Sequence, residues 1–206
     1  MAPTLADIAT QSLDIIFTHD RSGFFGRAIA ALTRHRGEAP TLATHMECLR
    51  DPQTVMLYHY RRGPCAVSVM RRSMEFTAAN RGWCVFRYRA GYDSEQIDRA
   101  RALIDDSLAN DKYSLGEIGL NIADGVLGWI WGSRVVAARR LGGMWERNRI
   151  CSTGTSRFYL REGAGGLPPQ AGMFDPDAAC DHMVDDHATW QCVGYGGDWP
   201  VQMVVT

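Results

Sequence analysis

The amino-acid sequence predicts an α+β fold in which an antiparallel sheet packs against helices, and three observations carry that expectation. Segments 44–49, 55–60, 66–70 and 83–88 read as successive short strands. The turn signals Arg50-Asp51-Pro52-Gln53, Arg62-Gly63-Pro64 and Asn80-Arg81-Gly82 separate them. After Gly91 the apolar spacing lengthens from two residues to three and four, the helical period. A β-meander followed by helices is the pattern of an α+β domain. With 206 residues and no internal repeat, the chain reads as a single domain with a core over about 13–193 and a C-terminal tail over 194–206.

The elements follow in order. Residues 13–18 (LDIIFT) form a β-rich run ended by the polar turn His19-Asp20-Arg21-Ser22-Gly23. Phe24, Phe25, Ile29 and Leu32 then fall at helical spacing within 24–34, with Ser22 available as a cap. Past the four strands, Ser94 is the expected cap of a helix carrying Ile97, Ala100, Leu103, Ile104 and Leu108. Further helical regions are expected after Ser114 and from Cys151 onward. A Gly/Pro-rich loop spans 163–172, and Asp175-Pro176 opens a short helix to about Asp186. Segments 189–193 and 201–205 can add late strands.

Composition narrows the function classes. The formal net charge of −1 gives no overall pull toward nucleic acid or an anionic membrane. Paired arginines at 61–62, 71–72 and 139–140 read as solvated element ends. Residues 1–11 lack the basic start and apolar run of a signal peptide, so synthesis in the cytoplasm is expected, with release by lysis or packaging in a particle left open. The most apolar stretch, 118–138, is interrupted by Asn121, Asp124, Gly125, Gly128, Gly132, Ser133 and Arg134, which argues for buried helix and against a transmembrane segment. Six dispersed cysteines do not make a disulfide framework and are read as reduced thiols.

Two residues stand out chemically. Cys151 follows Arg147-Asn148-Arg149-Ile150 and precedes a segment expected to be helical, where backbone N–H groups and positive charge favour the thiolate. His45 opens the strand-like 44–49 segment, from which its ring could take and return a proton. His59 lies on the next strand, where it or its neighbour Tyr58 could orient the His45 ring; alternation allows only one of the two to face inward. Local context alone favours an inert thiol and a structural histidine. Cys180, Asp181, His182, His187 and Cys192 are metal-ligating types, but their spacing matches no paired-ligand pattern, so neither metal nor cofactor is expected. Phosphate-loop, dinucleotide, Gly-x-Ser-x-Gly and His-Glu-x-x-His motifs are absent from the sequence.

Taken in order, these motifs resemble the circularly permuted branch of papain-like hydrolases, the YiiX-like proteins and lecithin–retinol acyltransferase relatives within the superfamily of bacterial cell-wall endopeptidases. The likeness rests on Asp14-Ile15-Ile16-Phe17, the amphipathic 24–34 segment, Thr44-His45-Met46-Glu47, Tyr58-His59, Lys112-Tyr113-Ser114 and Cys151-Ser152, and it spans 13 to about 183. Each motif is short, so specificity lies in their order. Glu47 departs from the small or apolar residue usual there, and His59 matches the acyltransferase-like relatives better than the YiiX-like ones.

The resemblance implies a permuted papain-like fold and a cysteine hydrolase. Cys151 would be the nucleophile, His45 the general base and acid, and His59 the orienting residue, with amide cleavage passing through a thioester. Peptidoglycan peptide is the first substrate expected, by analogy with the superfamily. Two alternatives stay open: a lipid acyl hydrolase or transferase, and a non-catalytic structural or binding component of a phage or secretion particle. The tryptophans and the Gly-rich 194–199 end would suit contact with assembly partners.

Overall fold

The computed structural model describes residues 3–19, 43–59, 62–113, 148–149, 151–167 and 176–199. The expected helix over 24–34, the apolar 118–138 stretch and the late strand over 201–205 lie outside the described residues.

The strands are β1 (Ile15–His19), β2 (His45–Asp51), β3 (Thr54–His59), β4 (Gly63–Ser68), β5 (Gly82–Tyr88) and, late in the chain, β8 (Trp190–Gly196). They form one six-stranded sheet in the order β4-β3-β2-β1-β5-β8, and every neighbouring pair is antiparallel. Helices α1 (Val69–Ala78), α2 (Ser94–Asn110), α3 (Cys151–Arg157) and α4 (Pro176–Asp185) complete the α+β architecture, with a small parallel ladder of β6 (Lys112–Tyr113) and β7 (Asn148–Arg149). Among the described residues, no helix is long and apolar enough to cross a membrane.

Alternation along the strands divides the core in two. Phe17, Met46, Cys48, Met56, Tyr58, Cys84 and Phe86 pack on one face with Cys151, Phe158, Tyr159, Ala100 and Ile104. Ile16, Leu49, Val55, Leu57 and Val85 pack on the other with Leu5, Val69 and Phe76 of α1. The sheet is therefore covered on both sides, α2, α3 and α4 against one and α1 with the turn Leu5–Asp7 against the other.

Two element readings change. The strand expected over 66–70 stops at Ser68, where a helix begins. The Ser68 hydroxyl accepts the Arg71 N–H, and Val69, Arg72, Ser73 and Phe76 form one buried stripe at helical spacing. The cap of α2 is Asp93, not Ser94: its carboxylate accepts the Gln96 N–H while Gln96 accepts the Asp93 N–H, a reciprocal capping box. At the C-terminal end Gly194 and Gly196 belong to β8, and Trp199 is buried.

Candidate functional site

The residues singled out in the sequence lie on two sides of the start of β2, the Cys151 thiol on one and the His45 and His59 side chains on the other. The β6–β7 ladder brings the chain to Cys151, the first residue of α3. This helix lies across β2 and β3. Thr155 Oγ1 donates to the Met46 carbonyl at 3.4 Å, and the Ser156 hydroxyl contacts the Met46 sulfur at 3.8 Å. Gly154 makes the close approach possible, because a Cβ there would lie 2.2 Å from Tyr58 Cζ. β2 pairs with β3 over Cys48↔Met56 to Asp51↔Thr54, while the first residues of β2 pair with β1, as in Thr18↔His45.

Cys151 is buried, and its thiol lies against the backbone N–H groups of Met46 and Ser152. Those amides favour the thiolate, yet burial outweighs them and pushes the thiol up to about 12; the negative charge of Glu47 acts in the same direction. The thiol is thus protonated at neutral pH. The Ser152 hydroxyl beside it is fully buried and, among the described residues, has no hydrogen-bond partner.

His45 precedes Met46 on the strand, and its side chain belongs to the other face. Its Nε2 lies 3.6 Å from Oε1 of Glu47, two residues along and on the same side of β2. Burial pushes His45 down to about 4; Glu47 pulls it up, while Arg72, Arg81 and His59 push it further down. The ring is therefore neutral at pH 7. Among the described residues, no hydrogen bond joins the His45 ring to the Cys151 thiol. The thiol instead meets the peptide group that follows His45 in the chain.

The two candidates on β3 separate by parity. Tyr58 packs against Gly154 on the α3 side, and its hydroxyl donates to Asp111 Oδ2 at 2.9 Å. His59 alternates to the side of His45, close enough for their charges to interact.

Sequence reasoning did not find the partner of Glu47. This carboxylate is fully buried and accepts two bonds from the Arg72 guanidinium, one of them from Nε at 2.9 Å. Arg72 also reaches Glu75 through Nη1 at 2.7 Å and lies over the Phe76 ring at 4.6 Å. The available signal was a Glu set between Met46 and Cys48 in the middle of a strand, where burial demands a cationic partner.

The alternative metal set separates in part. Cys180 is buried in the core near Cys84 and Cys192, Asp181 is exposed, and the exposed His187 places Nδ1 3.1 Å from the Val184 carbonyl. Among the described residues, no three His, Cys, Asp or Glu side chains are grouped to hold a metal ion.

No family model matches the sequence, and no curated protein matches it. Among solved structures, the chain is similar to the metalloprotein yiiX from Escherichia coli O157:H7 at 14% identity and a TM-score of 0.43, over 93% of this chain and 99% of that one.

Proposed function

We propose that this protein is a cysteine hydrolase of the circularly permuted papain-like type, cleaving an amide bond, with peptidoglycan peptides as the first substrate class. The carrying observation is the thiol of Cys151, set at the start of a helix against the backbone N–H that immediately follows His45. In this reading the sulfur attacks a carbonyl carbon while the proton of the thiol passes to His45. The tetrahedral intermediate collapses to a thioester as His45 returns the proton to the leaving amine. Water then attacks the thioester, with His45 again as base, and frees the thiol. The Met46 and Ser152 amides are oriented to stabilise negative charge at the sulfur. His59 stands on the side of His45 as the third polar group. Thiol and ring are both neutral at rest and belong to opposite sides of β2, so this reading requires the His45 ring to turn toward the thiol when substrate is bound.

A second reading, a non-catalytic binding or structural component on the same fold, draws on the burial that holds the thiol near 12 and the ring near 4. Alkylation with iodoacetamide near neutral pH separates the two. The hydrolase reading expects Cys151 to be modified ahead of the half-buried Cys65 and Cys192, with that preference lost in His45→Ala. Modification of Cys65 and Cys192 first, unchanged by His45→Ala, would overturn it. Release of amines from peptidoglycan fragments, against fatty acids from lipid esters, then identifies the substrate.

A further inference from the structure

The hydrolase mechanism above makes no use of the buried Glu47–Arg72 pair. A fully buried carboxylate is costly unless paired and hydrogen-bonded, and Glu47 meets that condition through two bonds from one guanidinium. The bidentate fork fixes the carboxylate plane, and Glu75 on the following turn of α1 fixes the guanidinium in turn. The oxygen that Arg72 Nη2 holds, Oε1, is the one facing His45 Nε2 at 3.6 Å. A chain of contacts thus runs from α1 through Glu47 to the ring.

We propose that Glu47, clamped by Arg72, is the positioning residue of His45: its carboxylate faces Nε2 at 3.6 Å, which favours the proton on that nitrogen and leaves Nδ1 as the one that accepts a proton. This rests on the hydrolase reading only for the source of that proton, the Cys151 thiol. The role sits on the histidine's own strand, two residues on, and not on β3.

Among the described residues, the charged and titratable groups around the ring are Glu47 on β2, His59 on β3, Arg72 on α1 and Arg81 before β5. Glu47 and Arg72 act on it with opposite sign, and that opposition makes the test specific. His45 is titrated by NMR through its ring Cε1 proton in the full chain. Glu47→Gln is expected to lower its pKa, and Arg72→Gln to raise it. The double variant Glu47→Gln with Arg72→Gln, which strands no buried charge, is expected to return close to wild type. Shifts of the same sign in the two single variants, or a His45 titration indifferent to all three, would overturn the assignment. If either single variant does not fold, the double variant is compared with wild type for the rate of Cys151 alkylation across pH. A positioning role expects a fall of about tenfold or more, whereas an unchanged rate and pH profile would overturn it. Opposed shifts of His45 together with alkylation of Cys151 that ignores His45→Ala would keep the positioning role and remove the hydrolase reading.

Discussion

Gly154 shows how a single missing side chain sets the site. A Cβ at this position would stand 2.2 Å from Tyr58 Cζ and 2.6 Å from its hydroxyl, closer than any real contact. Tyr58 cannot retreat freely, because its ring is buried and its hydroxyl is bonded to Asp111. Gly154→Ala is therefore expected to lift the first turn of α3 from β3 and cost about 1–3 kcal/mol of stability. Urea unfolding of Gly154→Ala, Tyr58→Leu and the pair checks this as a double-mutant cycle. The double variant should recover part of the loss, while strict additivity would place the strain elsewhere. The same contact explains why the sequence could not rank Tyr58 against His59. Alternation says that the two face opposite ways, but only the seating of α3 on Gly154, a contact between residues 96 positions apart, says which way each points.

At the scale of elements, legibility followed how local the determining contacts are. The strands were readable because β1, β2, β3 and β5 bury alternating side chains on two covered faces and end at Gly, Pro and Asn turns. The start of α3 at Cys151 was readable as well. Helix α1 was not, since Val69 and Met70 prolong the apolar run of β4, and the switch is made by the Ser68 hydroxyl. The missed helix carries Arg72, so the buried partner of Glu47 was hidden with it. Helix α2 was read correctly but capped one residue late. Asp93 holds the Gln96 N–H at 2.8 Å and Gln96 returns the bond at 2.9 Å, which predicts that Asp93→Ala costs about 1 kcal/mol. Ser94→Ala should cost only a few tenths, as an ordinary first-turn substitution. A larger loss from Ser94→Ala than from Asp93→Ala in thermal unfolding would reverse the assignment of the cap.

For the whole molecule, the site's electrostatics become a stability curve. His45 has its folded pKa depressed to about 4 from an unfolded value of 6.5. Between those values the unfolded chain binds a proton that the folded chain refuses, so stability falls as pH is lowered through the window and is unaffected by this group above it. The shift corresponds to at most about 3 kcal/mol, and the ring's 22% exposure screens part of it. Carboxylates contribute in opposed directions. Arg72 and Arg71 hold Glu75 below the usual range against its partial burial, so its contribution is lost only as pH falls through its low folded pKa. Asp14 is raised by burial against the bonds from Arg87, which favours its protonated form in the folded state and works against acid unfolding. His45 thus contributes stability that falls with pH between 6.5 and about 4.5. Urea midpoints measured at half-unit steps should fall steadily across that range in the wild type and flatten in His45→Gln, whose neutral amide gains no charge. A wild-type profile that is flat there, or a slope that survives His45→Gln, would mean that solvent reaches the ring well enough to keep its ordinary affinity for protons.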